Sequence, residues 1–393
     1  MKKDWEYKKL GEVCTFINGF AFKSNKFTNE GSPIIRISDI QNGLVDDTNV
    51  VYFDINSYSE NLSKYKVYPN DILIAMSGGT TGKIGINYTN KEFYLNQRVG
   101  VFRENTSVLN HMFLFYFLKT KGTESLVIAA GAAQPNLSTA QIKNFVIPLP
   151  PLSEQKAIVE YLDSSFAKID QLKTNAAKNL EEAKALFQSA LKDALEPKEG
   201  WITSTLKDEC HKITDGTHQT PHYFTDGYIF LSSKNVTNRV IDWDNVKYID
   251  EAQHQAMQKR VSPKVGDILL AKNGTTGVGA IVDREIEFDI YVSLALLRTK
   301  GNVIPEYMLC FVNSPMAKQQ FNKRLIGMGV PNLHLGEINQ VEISYPPNKT
   351  EQKEIVKRLN ELDDKVNTLQ QNYSHICDEC DALKQAILRQ VFE

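Results

Sequence analysis

Residues 351–391 read EQKEIVKRLNELDDKVNTLQQNYSHICDECDALKQAILRQV, and this stretch decides the fold. Its apolar residues recur at alternating steps of four and three, a period of about 3.5 residues. That period predicts a long helix that pairs with another helix along a narrow apolar seam. The predicted seam residues are Ile355, Leu359, Leu362, Val366, Leu369, Tyr373, Ile376, Cys380, Leu383 and Ile387.

A second stretch with the same spacing lies earlier in the chain, and two polar residues, Ser165 and Asn179, interrupt it. Two ordinary amphipathic helices in separate cores are the alternative interpretation. The seams are long and narrow for core helices, which favours a helix pair. The predicted seam residues of this first helix are Ile158, Leu162, Ile169, Leu172, Ala176, Ala183, Leu186 and Ala190.

The sequence repeats itself at an offset of about 196 residues. Trp5 corresponds to Trp201, and Asp71–Ala75 corresponds to Asp267–Ala271. The repeat continues into both seams, which indicates a tandem duplication of a globular part followed by a long helix. The predicted boundaries are 1–152 for domain 1, 153–198 for the first helix, 199–349 for domain 2 and 350–393 for the second helix.

Each globular part has the composition of a β-rich domain with a few helices. Ser153 and Thr350 are predicted to cap the two long helices. The predicted strands are Pro33–Ile37, Asp71–Ala75, Phe93–Val99 and Tyr228–Leu231, and the predicted short helices are His111–Lys119 and Pro305–Val312. The predicted fold class is α+β, with two pseudo-symmetric mixed α/β domains separated by two long helices.

Composition excludes several classes of protein. With 42% hydrophobic and 23% charged residues, the chain is typical of a soluble globular protein. Its densest apolar run, Met112–Leu118, is far shorter than a membrane span, so a cytoplasmic protein is expected. The net charge of −2 gives no indication of a nucleic-acid partner. The lone CxxC of Cys377 and Cys380 is weak support for a zinc site, and no metal is expected.

No catalytic motif is found. The loop Ser77–Lys83 resembles a phosphate-binding loop, but only three residues separate Gly78 from Gly82, and its counterpart Asn273–Val278 has no lysine after its last glycine. A glycine-rich turn between strands is the better interpretation. No GxGxxG motif opens a helix, and no histidine spacing predicts a metal site. We therefore predict a protein without an active site.

The duplicated layout resembles the specificity subunit of Type I restriction–modification systems. The Asp-Ile-Leu triplets that start at Asp71 and Asp267 carry this resemblance, together with Gln134–Leu137 and Val330–Leu333. So does Pro150–Gln155, which opens the first helix, although its counterpart Pro346–Gln352 departs from the pattern in its middle residues. The resemblance covers the whole chain, and it rests on the order, duplication and spacing of these motifs.

The resemblance implies two target-recognition domains, each of which reads one half of a split site in double-stranded DNA. From the residues, the helix pair could be parallel or antiparallel; the resemblance implies an antiparallel coiled coil. It also implies docking of two methyltransferase subunits and of restriction (translocase–nuclease) subunits, with no membrane. S-adenosylmethionine, ATP and magnesium would bind to those partners, and this subunit would bind none of them. A modification-only complex and a coiled-coil scaffold without DNA specificity are the alternatives.

The duplication also suggests which residues contact DNA. Positions that both copies share are expected to serve the fold, whereas exposed polar positions that differ are candidates for base reading. Arginine favours guanine, asparagine and glutamine favour adenine, and lysine more often binds phosphate. The candidates are Lys23, Arg36, Lys83, Gln97 and Arg98 in domain 1, and His218, His222, Lys234, Lys272 and Asn273 in domain 2.

Overall fold

The computed structural model of the chain describes residues 4–129, 136–237, 239–274, 276–325 and 332–393. Five residues of the motifs quoted above, Gln134, Pro135, Thr275, Val330 and Pro331, lie outside the described residues. The chain divides into two compact units: residues 1–175 with 375–393 form unit 1, and residues 176–374 form unit 2. Each unit contains one globular domain and a part of each long helix.

Domain 1 is a mixed α/β domain of short elements in unit 1. Its elements are β1 (Glu6–Lys9), α1 (Leu10–Val13), β2 (Cys14–Asn18), β3 (Phe27–Thr28), β4 (Ser32–Ile35), β5 (Ile40–Gln41), β6 (Leu44–Val45), β7 (Val51–Phe53), β8 (Lys66–Val67), β9 (Ile72–Ala75), β10 (Ile84–Ile86), β11 (Phe93–Leu95), β12 (Val99–Glu104), α2 (His111–Thr120), α3 (Gly122–Ala129), α4 (Thr139–Lys143) and β13 (Val146–Leu149). The strands form three sheets, with orders β1-β13, β2-β12-β9-β10-β6-β5 and β3-β7-β4-β11-β8.

Domain 2, in unit 2, repeats this plan with fewer strands. The first long helix, α5 (Leu152–Leu195), precedes it. Its elements are β14 (Ile202–Thr205), α6 (Leu206–Glu209), β15 (Cys210–Asp215), β16 (Tyr228–Leu231), β17 (Lys247–Ile249), α7 (Glu251–Gln258), β18 (Ile268–Ala271), β19 (Gly279–Ile281), β20 (Phe288–Ile290), β21 (Leu294–Thr299), α8 (Pro305–Val312), α9 (Pro315–Lys323), α10 (Leu335–Asn339) and β22 (Glu342–Tyr345). The sheet orders are β14-β22, β15-β21-β18-β19 and β17-β16-β20. The second long helix is α11 (Lys349–Phe392).

The burial of the central strand β9 on both faces explains why both copies share its sequence. Ile72 and Ile74 pack into one core cluster, whereas Leu73 and Ala75 pack into another. Successive side chains of a strand point to opposite faces, so β9 is buried on both faces and its sequence is continuously apolar. The equivalent strand β18 divides its side chains between two clusters in the same way.

Two predictions about the strands have different outcomes. The glycine-rich loop is a turn between strands, as predicted, because β9 and β10 on either side of it pair antiparallel. Gly82 and Gly277 adopt φ of +83° and +88° in the two copies, a region that favours glycine. The single strand predicted for Phe93–Val99 is wrong. Residues 96–98 form a turn between β11 and β12, so Gln97 and Arg98 do not lie within a strand.

The two long helices start one residue before their predicted caps. Because α5 begins at Leu152 and α11 at Lys349, Ser153 and Thr350 lie inside the helices and are not N-caps. In α11 the side chain of Asn348 takes this role and accepts a hydrogen bond from the Thr350 N–H at 2.8 Å. Within the part of the chain that the structure describes, no helix is both long and apolar enough to cross a bilayer.

In unit 1 the long helices run antiparallel. The Nζ atom of Lys173 lies 2.9 Å from Asp381 Oδ1, and the Nζ atom of Lys384 lies 2.5 Å from Asp170 Oδ1. A step of three residues backward along α5 thus matches a step of three residues forward along α11. Only an antiparallel pair has this register.

Unit 2 has the same helix direction. Phe187, Leu191 and Leu195, from the end of α5, share a core with Val356 and Leu359, from the start of α11. The antiparallel direction that the resemblance implied is therefore confirmed within each unit. Supercoiling of the two helices, which would make the pair a coiled coil, stays a prediction.

The predicted seam is wrong at four positions. Leu172 and Leu186 are 58% and 68% exposed on α5, and Leu369 and Leu383 are 42% and 49% exposed on α11, so these four assignments are wrong. Four buried residues of α5 each lie one residue after a predicted seam position. They are Val159, Phe166, Leu180 and Phe187. The predicted residues Leu162, Ile169 and Leu359 are buried, and Ile158, Ile355, Leu362, Val366, Ile376 and Ile387 pack partly buried against the cores.

The buried residues of α5 are displaced from the predicted seam because the globular domains also pack on the helices. The Phe166 ring on α5 contacts Tyr116 on α2, with centroids 5.5 Å apart. A helix that packs against both its partner helix and a domain turns its buried stripe toward both neighbours. The contact stripe is therefore wider than the strict seam of an isolated coiled coil.

A buried glutamine attaches the start of α5 to domain 1. Gln155 is 0% exposed. Its Nε2 donates to the carbonyls of Val108 and Pro150 at 2.9 and 2.8 Å, and its Oε1 accepts from the Asn110 N–H at 2.8 Å. The amide thus ties the loop before α2 and the proline turn to the first turn of α5.

Gln352 forms the same attachment at the start of α11. It is also 0% exposed, and its Nε2 donates to the carbonyls of Asn302 and Pro346, both at 2.9 Å. Its Oε1 accepts from the Ile304 N–H at 2.9 Å. The glutamine that both helix-opening motifs share therefore holds domain and helix together in each copy.

Candidate nucleic-acid interface

Three connections of domain 1 meet at one margin of the domain, which we call edge 1: residues 36–39, 76–83 and 96–98. The Asn96 N–H donates to the Ile35 carbonyl at 3.1 Å, so the turn after β11 lies beside the end of β4. The Met76 N–H donates to the Arg98 carbonyl at 2.8 Å, which brings in the loop after β9. Main-chain hydrogen bonds therefore fix the three connections relative to one another.

Edge 1 contains three predicted contact residues with exposed side chains: Lys83, Gln97 and Arg98. The ion pairs of the described part of the edge involve Arg36 and Asp39 and leave Lys83 and Arg98 out. Their charges are consequently available to an external partner. Lys23 is also exposed, on the separate connection before β3, where its N–H donates to the Tyr58 hydroxyl at 3.0 Å.

Arg36 has a different environment from the other candidates. Its Nη2 donates to the Asn49 carbonyl at 2.9 Å and lies 3.3 Å from Asp39 Oδ1, and its Nε lies 3.4 Å from Asp39 Oδ2. The guanidinium therefore closes the space between β4 and the loop before β7. This geometry assigns Arg36 to the fold and counts against a base contact.

Domain 2 has a matching margin, edge 2: residues 232–235, 272–274, 276–278 and 291–293. The Tyr291 N–H donates to the Leu231 carbonyl at 2.9 Å, and the Lys272 N–H donates to the Ser293 carbonyl at 2.8 Å. The same three connections therefore meet in both domains. Their side chains differ, since Ser232 and Ser293 stand at the positions of Arg36 and Arg98.

Lys272 is not available to DNA, so the prediction that it is a contact residue is wrong. The residue is 4% exposed, and its Nζ lies 2.6 Å from Asp215 Oδ2. Arg260 Nη2 and His218 Nε2 lie 2.6 and 3.2 Å from Asp215 Oδ1. Burial raises the pKa of the Asp215 carboxyl, but the hydrogen bonds from Lys272, Arg260 and His218 outweigh burial and hold the pKa below its usual value.

The other four candidates of domain 2 are distributed around edge 2. Lys234 is exposed on the short turn after β16. The Asn273 Oδ1 is buried, and within the described structure it has no hydrogen-bond partner. His218 is exposed and contacts Asp215, and His222 is exposed on the loop before β16. Lys234, His218 and His222 are therefore accessible, whereas the Asn273 oxygen is not.

A cleft of about 300 Å³ adjoins Lys234 in domain 2. Three of its exposed residues, Tyr223, Asn245 and Lys247, were missed by the sequence reasoning. Comparison of the two copies pairs Lys247 with Val51, which is a difference of the kind that the duplication rule selects. Lys247 could have been found by applying the rule to every position.

Positions that both copies share serve the fold, as the duplication rule expects. Arg103 Nη2 lies 3.1 Å from Asp71 Oδ2 in domain 1. In domain 2 the pair is bidentate, with Arg298 Nε and Nη2 at 2.7 and 2.6 Å from the Asp267 carboxylate. The hydrogen bond to Asp267 raises the pKa of Arg298 above its usual value. The Asp-Ile-Leu motif is therefore a structural motif.

The sequence profile of the family described as "Type I restriction modification DNA specificity domain" matches residues 2–182 and again residues 198–376. The chain belongs to this family. Its two specificity domains correspond to the two halves of the internal repeat, and each match extends into the long helix that follows its domain.

Relatives that are named as specificity subunits match along nearly the whole chain. The chain is 25% identical over 420 residues to the Type I restriction enzyme EcoKI specificity subunit of Escherichia coli K12, covering 100% of this chain and 89% of the relative. It is 23% identical over 389 residues to the Type I restriction enzyme MjaVIII specificity subunit of Methanocaldococcus jannaschii, covering 93% and 87%.

Solved structures share the fold. A chain from a structure described as the basis of complex assembly and conformational transition of the type I R-M system has a TM-score of 0.75 at 20% identity, covering 99% of this chain and 98% of that chain. The HsdS subunit from Thermoanaerobacter tengcongensis has a TM-score of 0.57 at 20% identity, covering 100% and 97%.

Arg98 is the strongest base-contact candidate in the first specificity domain. Arg98→Ala is expected to weaken specific DNA binding by about 1–3 kcal/mol, because an arginine that contacts a base edge loses its hydrogen bonds. A fluorescence titration of a DNA duplex that the wild-type protein binds specifically measures this loss. Lys9→Ala, at an exposed position on β1, is the control and should retain wild-type affinity. Unchanged affinity and specificity for Arg98→Ala would contradict the assignment.

Proposed function

We propose that this chain is the specificity subunit of a Type I restriction–modification complex and that each domain reads one half of a split DNA site. The observation that carries the proposal is the pair of edges. The same three connections meet in both domains, but the exposed side chains differ. Lys83, Gln97 and Arg98 in edge 1 have approximate counterparts Val278, Val292 and Ser293 in edge 2. Two readers with different side chains would recognise different sequences, so the target is asymmetric.

The long helices fit the role of a spacer. Each contains 44 residues, which at about 1.5 Å per residue is about 66 Å. DNA half-sites on one face of the duplex lie about 34 Å apart per helical turn. A helix pair of this length is long enough to hold two readers about one turn apart. The helices would set the gap, and the domains would set the two sequences.

The helices also have apolar positions that neither partner helix nor domain covers. Leu172 and Leu186 on α5, and Leu369 and Leu383 on α11, are exposed. Exposed leucines at regular positions on a helix suit a protein partner. This supports docking of two methyltransferase subunits and, in the full complex, of translocase–nuclease subunits.

The chain would supply recognition without a catalytic step. S-adenosylmethionine, ATP and magnesium would be bound by the partner subunits in the cytoplasm, and none by this chain. A complex that only methylates DNA, without a nuclease partner, would need the same recognition role from this subunit. A coiled-coil scaffold without DNA specificity is the alternative from a different class, and it predicts no sequence-specific DNA retention.

Methylation mapping of the host genome tests the function. A split, asymmetric methylated motif is expected in cells that express the chain, and it should disappear when the gene is deleted and return when the gene is restored. The matched control is deletion of an unrelated gene. A methylation pattern that does not change on deletion would refute the function. Purification of the partners separates the modification-only complex from the complete restriction complex.

A further inference from the structure

The cleft of domain 2 has a rigid polar floor. Asn235 accepts a hydrogen bond from the Ser232 N–H at 3.0 Å, and its Nδ2 donates to the Asn245 carbonyl at 3.0 Å. The Ser293 hydroxyl accepts from the Ser233 N–H at 3.0 Å. These side chains are already satisfied by the protein, so the shape of the floor is set before any ligand binds.

Aromatic rings form the walls of the cleft. The rings of Tyr223 and Tyr291 lie 6.1 and 6.0 Å from the buried ring of Phe230, measured between centroids. Tyr223 is 42% exposed, so part of its ring faces the opening. Polar floors with aromatic walls suit a flat ligand with hydrogen-bonding edges, such as a nucleobase.

Two lysines stand at the rim. Lys247 lies with its Nζ 3.8 Å from the centroid of Tyr223, and Lys234 is exposed on the turn beside it. The ion pairs in the described part of domain 2 do not include either lysine; their basic partners are Arg239, His218, His254, Arg260, Lys272, Arg298 and Arg324. Within the described residues, the two positive charges at the rim therefore have no carboxylate partner in an ion pair.

Asp242 is an acidic residue on the loop that leads to Asn245. It accepts hydrogen bonds from the Asp244 N–H at 3.0 Å, the Asn245 N–H at 3.1 Å and the Asn245 Nδ2 at 2.9 Å. These neutral donors lower its pKa, so it stays ionised. The ion pairs in the described part of domain 2 do not join it to Lys234 or Lys247.

Domain 1 differs from domain 2 in the side chains at this place. The Arg36 guanidinium, which reaches the Asn49 carbonyl, occupies the position where domain 2 has the short side chain of Ser232. Ser38 and Val51 stand at the positions of Lys234 and Lys247. The two lysines of the cleft therefore have no basic counterparts at the equivalent positions of domain 1.

We propose that this cleft is the DNA-contact site of domain 2, in which Lys234 and Lys247 bind the sugar–phosphate backbone or guanine acceptors of one half-site, and Tyr223 lies against the nucleotide beside them. The proposal rests on the proposed function and adds the residues that perform it in the second domain. The two domains then engage DNA differently: domain 1 through the exposed Arg98 turn, and domain 2 through a cleft.

The test is a DNA titration of the assembled complex with its methyltransferase subunits, at several salt concentrations. For Lys234→Ala combined with Lys247→Ala, affinity should fall about 10–100-fold. The slope of log affinity against log salt should decrease by about 0.9 for each of the two lysines that binds a phosphate. Lys207→Ala combined with Lys264→Ala removes the same charge near the opposite ends of β15 and β18 and should bind as the wild type does. Equal affinity and salt slope for the cleft variant and the control would overturn the proposal.

Methylation mapping then shows which half-site the cleft reads. In cells that carry Lys234→Ala or Tyr223→Ala, one half of the methylated motif should lose selectivity at one or two positions, while the other half keeps its sequence. A motif unchanged in both halves for both variants would contradict the proposal. If the wild-type complex itself shows no sequence-specific DNA binding, the proposed function fails together with the cleft, and the wild-type titration distinguishes that outcome.

Discussion

Gln155→Ala is expected to lower the free energy of unfolding of unit 1 by about 3–5 kcal/mol. The substitution leaves the carbonyls of Val108 and Pro150 and the N–H of Asn110 without their partner at a site that is 0% exposed. Each buried polar group that loses its partner costs about 1–3 kcal/mol. Chemical denaturation of the full chain, followed by circular dichroism, measures the loss.

Gln171→Ala is the matched control for this prediction. Gln171 lies on the same helix, is exposed, and donates only to the Asn175 side chain among its described contacts. Its replacement should change stability by less than about 0.5 kcal/mol. Gln352→Ala should destabilise unit 2 in the same way as Gln155→Ala destabilises unit 1. A Gln155→Ala protein as stable as the control would show that the buried amide does not hold the domain to the helix.

Lys272→Ala is expected to destabilise domain 2 by about 1–3 kcal/mol, and not merely to weaken DNA binding. Removing one partner of a buried ion pair leaves the other charge with less compensation. Here the remaining charge is Asp215, whose side chain is 4% exposed and still contacts Arg260 and His218. Thermal and denaturant unfolding of the full chain check this. Lys264→Ala, an exposed lysine of the same domain, should leave stability almost unchanged.

Asp215 also predicts how stability depends on pH. Its pKa is lower in the folded domain than the value of about 3.9 in an unfolded chain. The unfolded state therefore binds the proton more readily, and the ion pair stabilises the domain fully above about pH 4. This contribution should be lost as the pH falls below that value through the folded pKa. The stability of Asp215→Asn should vary less with pH over this acid range, and an equally steep loss in both proteins would contradict the assignment.

The double variant Asp215→Leu/Lys272→Met distinguishes two quantities. One is the destabilisation caused by a buried charge that has lost a partner, and the other is the net contribution of the ion pair to stability. The double variant removes both charges, and Arg260, which is about half exposed, can return to solvent. It should be more stable than Lys272→Ala. Greater destabilisation by the double variant would mean that the ion pair itself contributes more than its desolvation costs.

The repeat made most of the fold predictable. Once Asp71–Ala75 had been matched with Asp267–Ala271, the two domains and the two helices followed from one pattern, and α8 begins and ends at the predicted residues. The strand Phe93–Val99 was wrong because the polar run Asn96–Arg98 within it was interpreted as part of the strand. Asparagine is depleted in strands and favours turns, so this run was a signal of the turn that brings Gln97 and Arg98 to the edge.

The error in the helix seam had a signal in the sequence. The predicted seam needed two polar interruptions, Ser165 and Asn179, whereas the neighbouring positions Phe166 and Leu180 are apolar and buried. A seam moved by one residue at those places has no such interruptions. Periodicity gives the spacing of a stripe, but the neighbours on both sides of the helix decide where the stripe faces.

The contact residues were less predictable than the fold, because their accessibility depends on contacts between distant segments. Arg36 and Lys272 have the residue types that DNA contacts need, yet Asp39 and Asp215 bind them inside the domains. Conversely, the cleft of domain 2 is formed by residues from 223 to 293, which come from separate segments of the chain. A pattern within one segment contains neither kind of information.

Unit 1 contains residues from both ends of the sequence, 1–175 and 375–393, and this affects the order of folding during synthesis. The ring of Phe392, on the last turn of α11, lies 5.0 Å from Phe113 and 5.9 Å from Phe117, between centroids. Residues 176–374, the whole of unit 2, are translated between these partners. Unit 1 must therefore wait, with part of its aromatic core uncovered, until the segment from His375 onward has been released. A chaperone that binds exposed aromatic side chains would meet the first domain for longer than the second.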